Sequence, residues 1–139
     1  MPDINEINSA VYTLLANDST LSGLCTIYKG AKRPTSASNP AVTIAVKRLE
    51  PGDGEGMWMC DILVTAYANI HANGMPDHEK LDELSNRICE VLADVEIGLE
   101  GAKALPIIEG ESTGPEWEGV HDVEAMQKTT FGLVFVKFW

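Results

Sequence analysis

Two segments of the chain carry apolar residues at the three- and four-residue spacing of an amphipathic helix. The apolar positions of the first segment are Ile4, Ile7, Val11, Leu14 and Leu15. Asp3 followed by Glu6 resembles a capping box and predicts the start of this helix. The second segment begins after a predicted N-cap at Asp77 and ends near Asp94; its apolar positions are Leu81, Leu84, Ile88, Val91, Leu92 and Val95. The spacing predicts two helices, each with one face turned toward a core. Glu83 and Arg87 also predict an i,i+4 ion pair on the second helix.

Other segments are short and apolar or alternate between apolar and polar residues, which predicts β-strands. These segments are residues 24–28, 41–49, 57–70, 104–110 and 129–139. Residues 30–40 and 111–119 are rich in Gly, Pro and polar residues, which predicts loops. The last strand is apolar on both faces, a pattern typical of a central strand.

The predicted elements follow the order α-β-β-β-α-β-β. This order indicates the α+β class, with a mostly antiparallel sheet of four or five strands and two helices packed on one face. The length of 139 residues and the absence of a repeat or a linker predict a single domain over residues 1–139.

Composition narrows the range of partners. The net charge is −11, from 21 acidic and 10 basic residues. Such a charge repels nucleic acid phosphates and anionic lipids, so we expect neither nucleic acid nor membrane as the main partner. It is compatible with a protein partner. The three cysteines have wide spacing and no CxxC pair, which disfavours a disulfide framework and favours a reducing cytosol.

The glycine-rich stretch PGDGEG, residues 51–56, could in principle bind phosphate or calcium. A phosphate loop is disfavoured because no Lys is present, a strand follows, and Asp53 and Glu55 would repel the anion. The acids do not follow the spacing of an EF-hand loop. We therefore predict a hairpin connection in which Gly supplies positive φ, and no cofactor.

The titratable residues do not form a recognisable catalytic or metal motif. His71, His78 and His121 lack spacing of the HExxH kind, so no metal site is expected. No GxSxG motif occurs and no Cys has an evident His partner, so the sequence does not predict an enzyme.

Two tryptophans have alternative interpretations. Trp117 lies between Glu116 and Glu118 in a segment that otherwise resembles a solvated loop. It either folds back onto the edge of the core or anchors a protein interface, where Trp is enriched. Trp58, beside the hairpin tip, is open to the same two interpretations. The candidate protein-interface residues are Asp53, Glu55, Met57, Trp58, Glu116, Trp117 and Glu118.

Several local patterns resemble the tail completion, or tail terminator, proteins of tailed bacteriophages. They are the opening helix with VYTLLANDSTLSGL, the strand CTIY followed by NPAVTIAV, the strand DILVTAYA and the helix HEKLDELSNRICEVL. An irregular acidic loop and a final apolar strand continue the likeness. The resemblance covers nearly the full chain and rests on the order of elements rather than on an invariant motif.

This resemblance implies a non-enzymatic structural protein that caps the tail tube and joins it to the head. It implies self-association, often as a hexameric ring, with tail-tube and head-connector proteins as partners. The expected location is the bacterial cytoplasm during assembly and then the virion tail. The alternatives are a head–tail joining or other minor tail protein, a small acidic enzyme or ligand-binding domain, and a dimeric cytosolic protein unrelated to phages.

Overall fold

A computed structural model of the protein describes residues 3–30, 39–52, 56–92, 97–99, 102–106, 116–121 and 124–137. From residue 98 onward the description covers the backbone, with side chains only at Trp117 and Val120. The helices are α1 (Ile4–Ala16), α2 (Ser19–Leu24) and α3 (His78–Leu92). The strands are β1 (Thr26–Lys29), β2 (Ala41–Pro51), β3 (Met57–Asn69), β4 (Ile97–Leu99), β5 (Ala102–Pro106), β6 (Glu116–His121) and β7 (Glu124–Lys137).

The seven strands form one sheet in which β7 is central. The strand order is β1-β2-β3-β7-β5-β4, with β1 parallel to β2 and the other pairs antiparallel. One edge of β7 pairs with β3 over its whole length. The other edge is divided, because residues 124–128 pair with β6 and residues 133–137 pair with β5. The central position predicted for the last strand is therefore confirmed.

The core lies between the helices and one face of the sheet. The apolar stripe of α3 packs against β3, whose buried apolar residues are Cys60, Ile62, Val64, Ala66 and Ala68. Helix α1 contacts β1 and β2 near one end of the strand order and β4 at the other end. The sheet must therefore curve around α1.

Both long helices begin at the residues predicted to cap them. The Asp3 carboxylate accepts hydrogen bonds from the N–H groups of Asn5 (2.8 Å) and Glu6 (3.2 Å). The Asp77 carboxylate accepts one from the Lys80 N–H (3.1 Å). Each cap pairs backbone donors that the first turn of a helix leaves without a partner.

The short helix α2 was not predicted, and a long-range ion pair ties it to α3. Asp18 caps α2 through the N–H of Leu21 (3.0 Å), and its Oδ2 accepts a hydrogen bond from Arg87 Nε (2.9 Å). Arg87 also contacts Glu90 (2.9 Å), whereas Glu83 lies 3.6 Å from Lys80. The predicted Glu83–Arg87 pair is therefore wrong, because a bidentate contact with Asp18 occupies the guanidinium instead.

The α+β class is confirmed, but the element count differs from the prediction. The prediction of two helices and of four or five strands is not confirmed, since the described residues form three helices and seven strands. The predicted loop at residues 111–119 is wrong from Glu116 onward, where β6 begins. The three-residue strand β4 was missed because so short a segment carries no periodic signal. The predicted strand end at residues 107–110 and the helix end near Asp94 lie outside the described residues.

Candidate protein-interaction surface

The hairpin tip holds the first group of predicted interface residues. Gly52 N–H donates to the Met57 carbonyl (2.9 Å), and Gly56 has a φ of 75°, which confirms the hairpin connection between β2 and β3. Positive φ is readily adopted by Gly and rarely by other residues, so the tip depends on this position. Asp53 and Glu55 lie outside the described residues.

Met57 and Trp58 follow the hairpin tip, and neither side chain is fully exposed. Both are half-buried, and Trp58 packs against the hydrophobic core. Below them, an Arg48–Asp61 ion pair (2.9 Å) bridges β2 and β3 where the register shifts between Val46 and Arg48. The indole of Trp58 thus contributes to the packing of the hairpin, whatever else it contacts.

The second group lies on β6, which pairs with β7 alone among the described strands. Trp117 is 45% exposed, and its role as an interface anchor stays a prediction. Glu116 and Glu118 belong to the same strand, and their side chains lie outside the described part of the chain. An exposed Trp is informative because large aromatic side chains are usually highly buried in a folded protein.

A contact between two aromatic rings links Trp117 to helix α3. The rings of His78 and Trp117 have their centroids 4.6 Å apart and are tilted by 53°, a favourable geometry for two aromatic rings. His78 is the first residue of α3, directly after the Asp77 cap. The cap therefore sets the helix start that brings His78 to β6.

A β-bulge places a second exposed apolar residue on the same face as Trp117. Trp117 and Val120 are three residues apart and would lie on opposite faces of a regular strand. The register shift between Trp117 and Gly119 corrects this, and Gly119 takes a φ of 102° there. Val120 is 46% exposed.

Met75 is a further exposed apolar residue near the same end of the sheet. It is 58% exposed and lies in the connection between β3 and α3, where its carbonyl accepts a hydrogen bond from His71 N–H (2.8 Å). The end of β3 pairs with the start of β7, which pairs with the end of β6. We use the term Trp117 surface for the four residues Met75, His78, Trp117 and Val120.

Acidic side chains border the Trp117 surface. Glu79 and Asp82 are exposed on the first turns of α3, and Asp82 lies one turn beyond His78 on the same helical face. Both basic residues of α3 already have acidic partners within this chain, Lys80 with Glu83 and Arg87 with Asp18 and Glu90. The first turns of α3 therefore carry acidic side chains next to His78.

The polar residues of the 71–78 segment do not assemble a metal site. His71 Nε2 lies 3.8 Å from Asp77 Oδ1, and no group of three or more His, Cys, Asp or Glu side chains converges within the described ranges.

Among the described helices, none is both long and apolar enough to cross a membrane.

A shallow cleft of about 310 Å³ lies between α1, α2 and β1. Its lining includes Tyr12, Ile27 and Cys25, whose thiol donates to the Leu21 carbonyl (3.4 Å). Burial raises the pKa of Cys25 to about 11, so this thiol is protonated at neutral pH. Burial and the neighbouring Asp61 charge likewise raise the pKa of Cys60 to about 12. A protonated thiol is a poor nucleophile.

Sequence reasoning found Trp117 but missed its contact with His78 and the exposed residues Val120 and Met75. His78 was considered only as a metal ligand, and its contact with Trp117 joins residues far apart in the chain. The alternation of EWEGVH around a Gly was the one local signal that could have revealed a bulged strand.

Comparison with known proteins shows the fold. No protein-family model matches the chain, and no curated protein matches its sequence. The structure is similar to a chain solved in the virion of a native gene transfer agent particle, with a TM-score of 0.68 and 13% sequence identity. The likeness covers 96% of this chain and 96% of that chain, so it includes nearly the whole of both folds.

Proposed function

We propose that the protein is a structural subunit of a phage-like particle that caps the tail tube and joins it to the head, without catalysing a reaction. The observation that carries this proposal is the fold shared with a virion chain over 96% of both chains, at a TM-score of 0.68. The resemblance of the element order to tail completion proteins supports the more specific assignment to the tail.

A ring of identical subunits is the proposed form of assembly, with six as the expected number from the family resemblance. Each subunit in a ring uses two different surfaces, one for each neighbour. The hairpin tip with Met57 and the β6 strand with Trp117 are the candidate contact regions for neighbours or for tail-tube and head-connector proteins. Assembly would take place in the bacterial cytoplasm, before incorporation into the virion tail.

The negative charge of the subunits opposes the formation of such a ring. The net charge of −11 on each subunit is multiplied around the ring, so repulsion must be offset by basic partner surfaces or cations. We expect replacement of Asp53, Glu55, Glu116 and Glu118 by Lys to preserve folding and to abolish tail completion. Circular dichroism checks the folding, and electron microscopy of the particles measures tail length. Tails of normal length and attachment in the mutant would contradict this assignment of the acids.

The mass of the purified protein in solution tests the ring directly. Light scattering after size exclusion, over a range of concentrations and with and without magnesium, should give a ring-sized species or growth toward one. A protein that stays monomeric is then mixed with tail-tube protein, which should template the ring. A stable dimer that neither grows nor binds the tube would contradict the proposed function.

A further inference from the structure

We propose that the chain associates head to tail with a second copy of itself, and that the exposed Trp117 of one copy packs into the cleft between α1, α2 and β1 of the next. In this contact Glu79, on the first turn of α3, faces Lys29 beside the cleft. The inference deepens the proposed function by naming the contact between subunits, and it rests on that function in one respect, that the copies are neighbours in a ring.

The two halves of the contact lie at opposite edges of the sheet. One row of backbone pairs runs from Thr26 of β1 through Ala41, Tyr67 and Met126 to Gly119 of β6. β1 and β6 are therefore four strand spacings apart, and among the described strands each pairs with one neighbour only. A contact between such opposite edges of identical subunits is heterologous, which is the kind that can close into a ring.

The exposed tryptophan supplies the first half of the contact. Trp117 is 45% exposed, and its ring already contacts the ring of His78 at a centroid distance of 4.6 Å. A side chain that is held in place before binding loses less conformational entropy when it binds. Tryptophan is also enriched among the residues that dominate the binding energy of interfaces.

The cleft at the β1 edge supplies the second half. It has a volume of about 310 Å³, and Tyr12, Ala16 and Ile27 contribute to its lining. The Ser22 hydroxyl in the lining donates to the Ala16 carbonyl (2.6 Å), and the Cys25 thiol donates to a carbonyl of α2 (3.4 Å). Because these two polar groups already have partners, the cleft is suited to a large, mainly apolar side chain.

The charge distribution selects a second copy as the occupant. Residues 19–49, which include α2 and β1, hold five basic residues and no acidic residue, whereas residues 116–124, which include β6, hold four acidic residues and no basic one. A head-to-tail contact therefore brings together edges of opposite charge. Exposed charges beyond a Debye length of about 8 Å are largely screened at physiological ionic strength, so this local complementarity can outweigh the repulsion between subunits of net charge −11.

Lys29 and Glu79 form the proposed ion pair of the contact. Lys29 is exposed at the end of β1, where its Nζ lies 5.6 Å from the centroid of the Tyr12 ring in the cleft lining. Glu79 is exposed and directly follows His78, which contacts Trp117. Within the described ranges neither Lys29 nor Glu79 has a partner of opposite charge. Each is therefore available to the other when Trp117 enters the cleft.

Two variants, each of which destroys one half of the contact, test the inference on the full-length protein. Trp117→Ala removes the anchor, and Thr26→Tyr fills the cleft from an exposed position in its lining. Each should weaken self-association roughly tenfold or more, measured by light scattering over a range of concentrations. Ile4→Ala and Thr20→Tyr, at exposed positions outside both halves, are the matched controls and should associate as the wild type does. Circular dichroism checks that every variant is folded.

A mixture of the two variants gives the sharpest result. The Trp117 of the Thr26→Tyr variant can enter the intact cleft of the Trp117→Ala variant, but neither protein can extend the assembly further. The mixture should therefore form a 1:1 dimer and nothing larger. A mixture that stays monomeric, or unchanged association of the separate variants, would overturn the inference. A wild-type protein that stays monomeric at every concentration would overturn it as well.

Charge reversal tests the proposed ion pair. Lys29→Glu should weaken association, whereas Lys80→Glu, the same change of charge at a residue already paired with Glu83, should not. Lys29→Glu combined with Glu79→Lys should regain most of the association, because the pair is then reversed in every contact. Equal weakening by the Lys29 and Lys80 changes, or no recovery in the double variant, would contradict the inference.

Capping of tail tubes, assayed on the same preparations, distinguishes this inference from the proposed function. Capped tubes from a protein whose rings tolerate Trp117→Ala and Thr26→Tyr reject the contact and leave the proposed function intact. The 1:1 dimer of variants, in a protein that neither caps nor binds tubes, rejects the proposed function and leaves the contact. Loss of tube binding by Trp117→Ala with unchanged self-association would assign Trp117 to the tube protein and overturn the inference.

Discussion

The part of the sheet that the helices cover, at β3, and the part that they leave uncovered, at β6, can be compared at two positions of β7. Ala66 of β3 and Trp117 of β6 both pair with Gln127, and Ala68 and Val120 both pair with Ala125. Under the helices the positions are small and buried; two strands away they are large and close to half exposed. The difference shows that helix coverage decides exposure. The large apolar residues outside that coverage are therefore the ones that call for a functional explanation.

The largest loss of stability is expected when a buried side chain between the helices and the sheet is truncated. Leu84→Ala removes a fully buried side chain of α3 that packs against the sheet. We expect a loss of about 2 to 5 kcal/mol in the free energy of unfolding, from lost burial and the cavity left behind. Urea denaturation with an unchanged m-value measures it. A loss no greater than that of Ile4→Ala would mean that α3 is not a principal contributor to the core.

A larger side chain at a buried position of β3 should cause the next largest loss of stability. Ala66→Leu inserts a branched side chain where Ala66 is 2% exposed beneath the helices. We expect a loss of about 1 to 3 kcal/mol from overpacking, measured by thermal or urea unfolding. Unchanged or increased stability would show that α3 does not lie tightly on β3, which would break the comparison with β6.

The ion pair that attaches α2 to α3 predicts that the stability of the fold depends on pH. The Arg87 hydrogen bond and the Leu21 N–H lower the pKa of Asp18 from 3.8 to about 2. A carboxyl whose pKa is lowered by folding stabilises the fold above its unfolded pKa, and this stabilisation is lost as pH falls through its folded pKa. Asp18→Asn keeps a capping side chain but removes the charge.

The urea midpoint of Asp18→Asn should therefore fall below that of the wild type at pH 7. The gap between the two proteins should close between about pH 5 and pH 2. Arg87→Gln should show the same convergence, whereas Glu79→Gln, an exposed change on the same helix, should not. A gap that stays constant with pH would place the effect in capping rather than in the ion pair.

The smallest effect on stability is expected from substitutions at Trp117 of β6 and at its neighbour His78. Trp117→Ala should change the free energy of unfolding by no more than about 1 kcal/mol, since the ring is exposed and loses one aromatic contact. His78→Ala should alter the Trp fluorescence of the folded protein while leaving its urea midpoint nearly unchanged. A loss at Trp117 as large as that at Leu84 would mean that β6 belongs to the core.

Local patterns were sufficient for the elements that carry their own signal. The spacing of apolar residues predicted α1 and α3, Asp3 and Asp77 predicted their starts, and alternation predicted the β2–β3 hairpin. The two apolar faces of the last strand predicted that it is central. Each of these features depends on residues a few positions apart, so the sequence by itself determined them.

Tertiary structure alone decided the features that depend on distant residues. Asp18 and Arg87 are 69 positions apart, and their ion pair displaced the local Glu83–Arg87 pair. β6 became a strand because the first part of β7 leaves an edge for it beyond the reach of β5. His78 meets Trp117 only through that pairing. Local propensity contains no information on which edges and side chains the fold brings together, so the surface around Trp117 could be suspected from the sequence but assembled only by the fold.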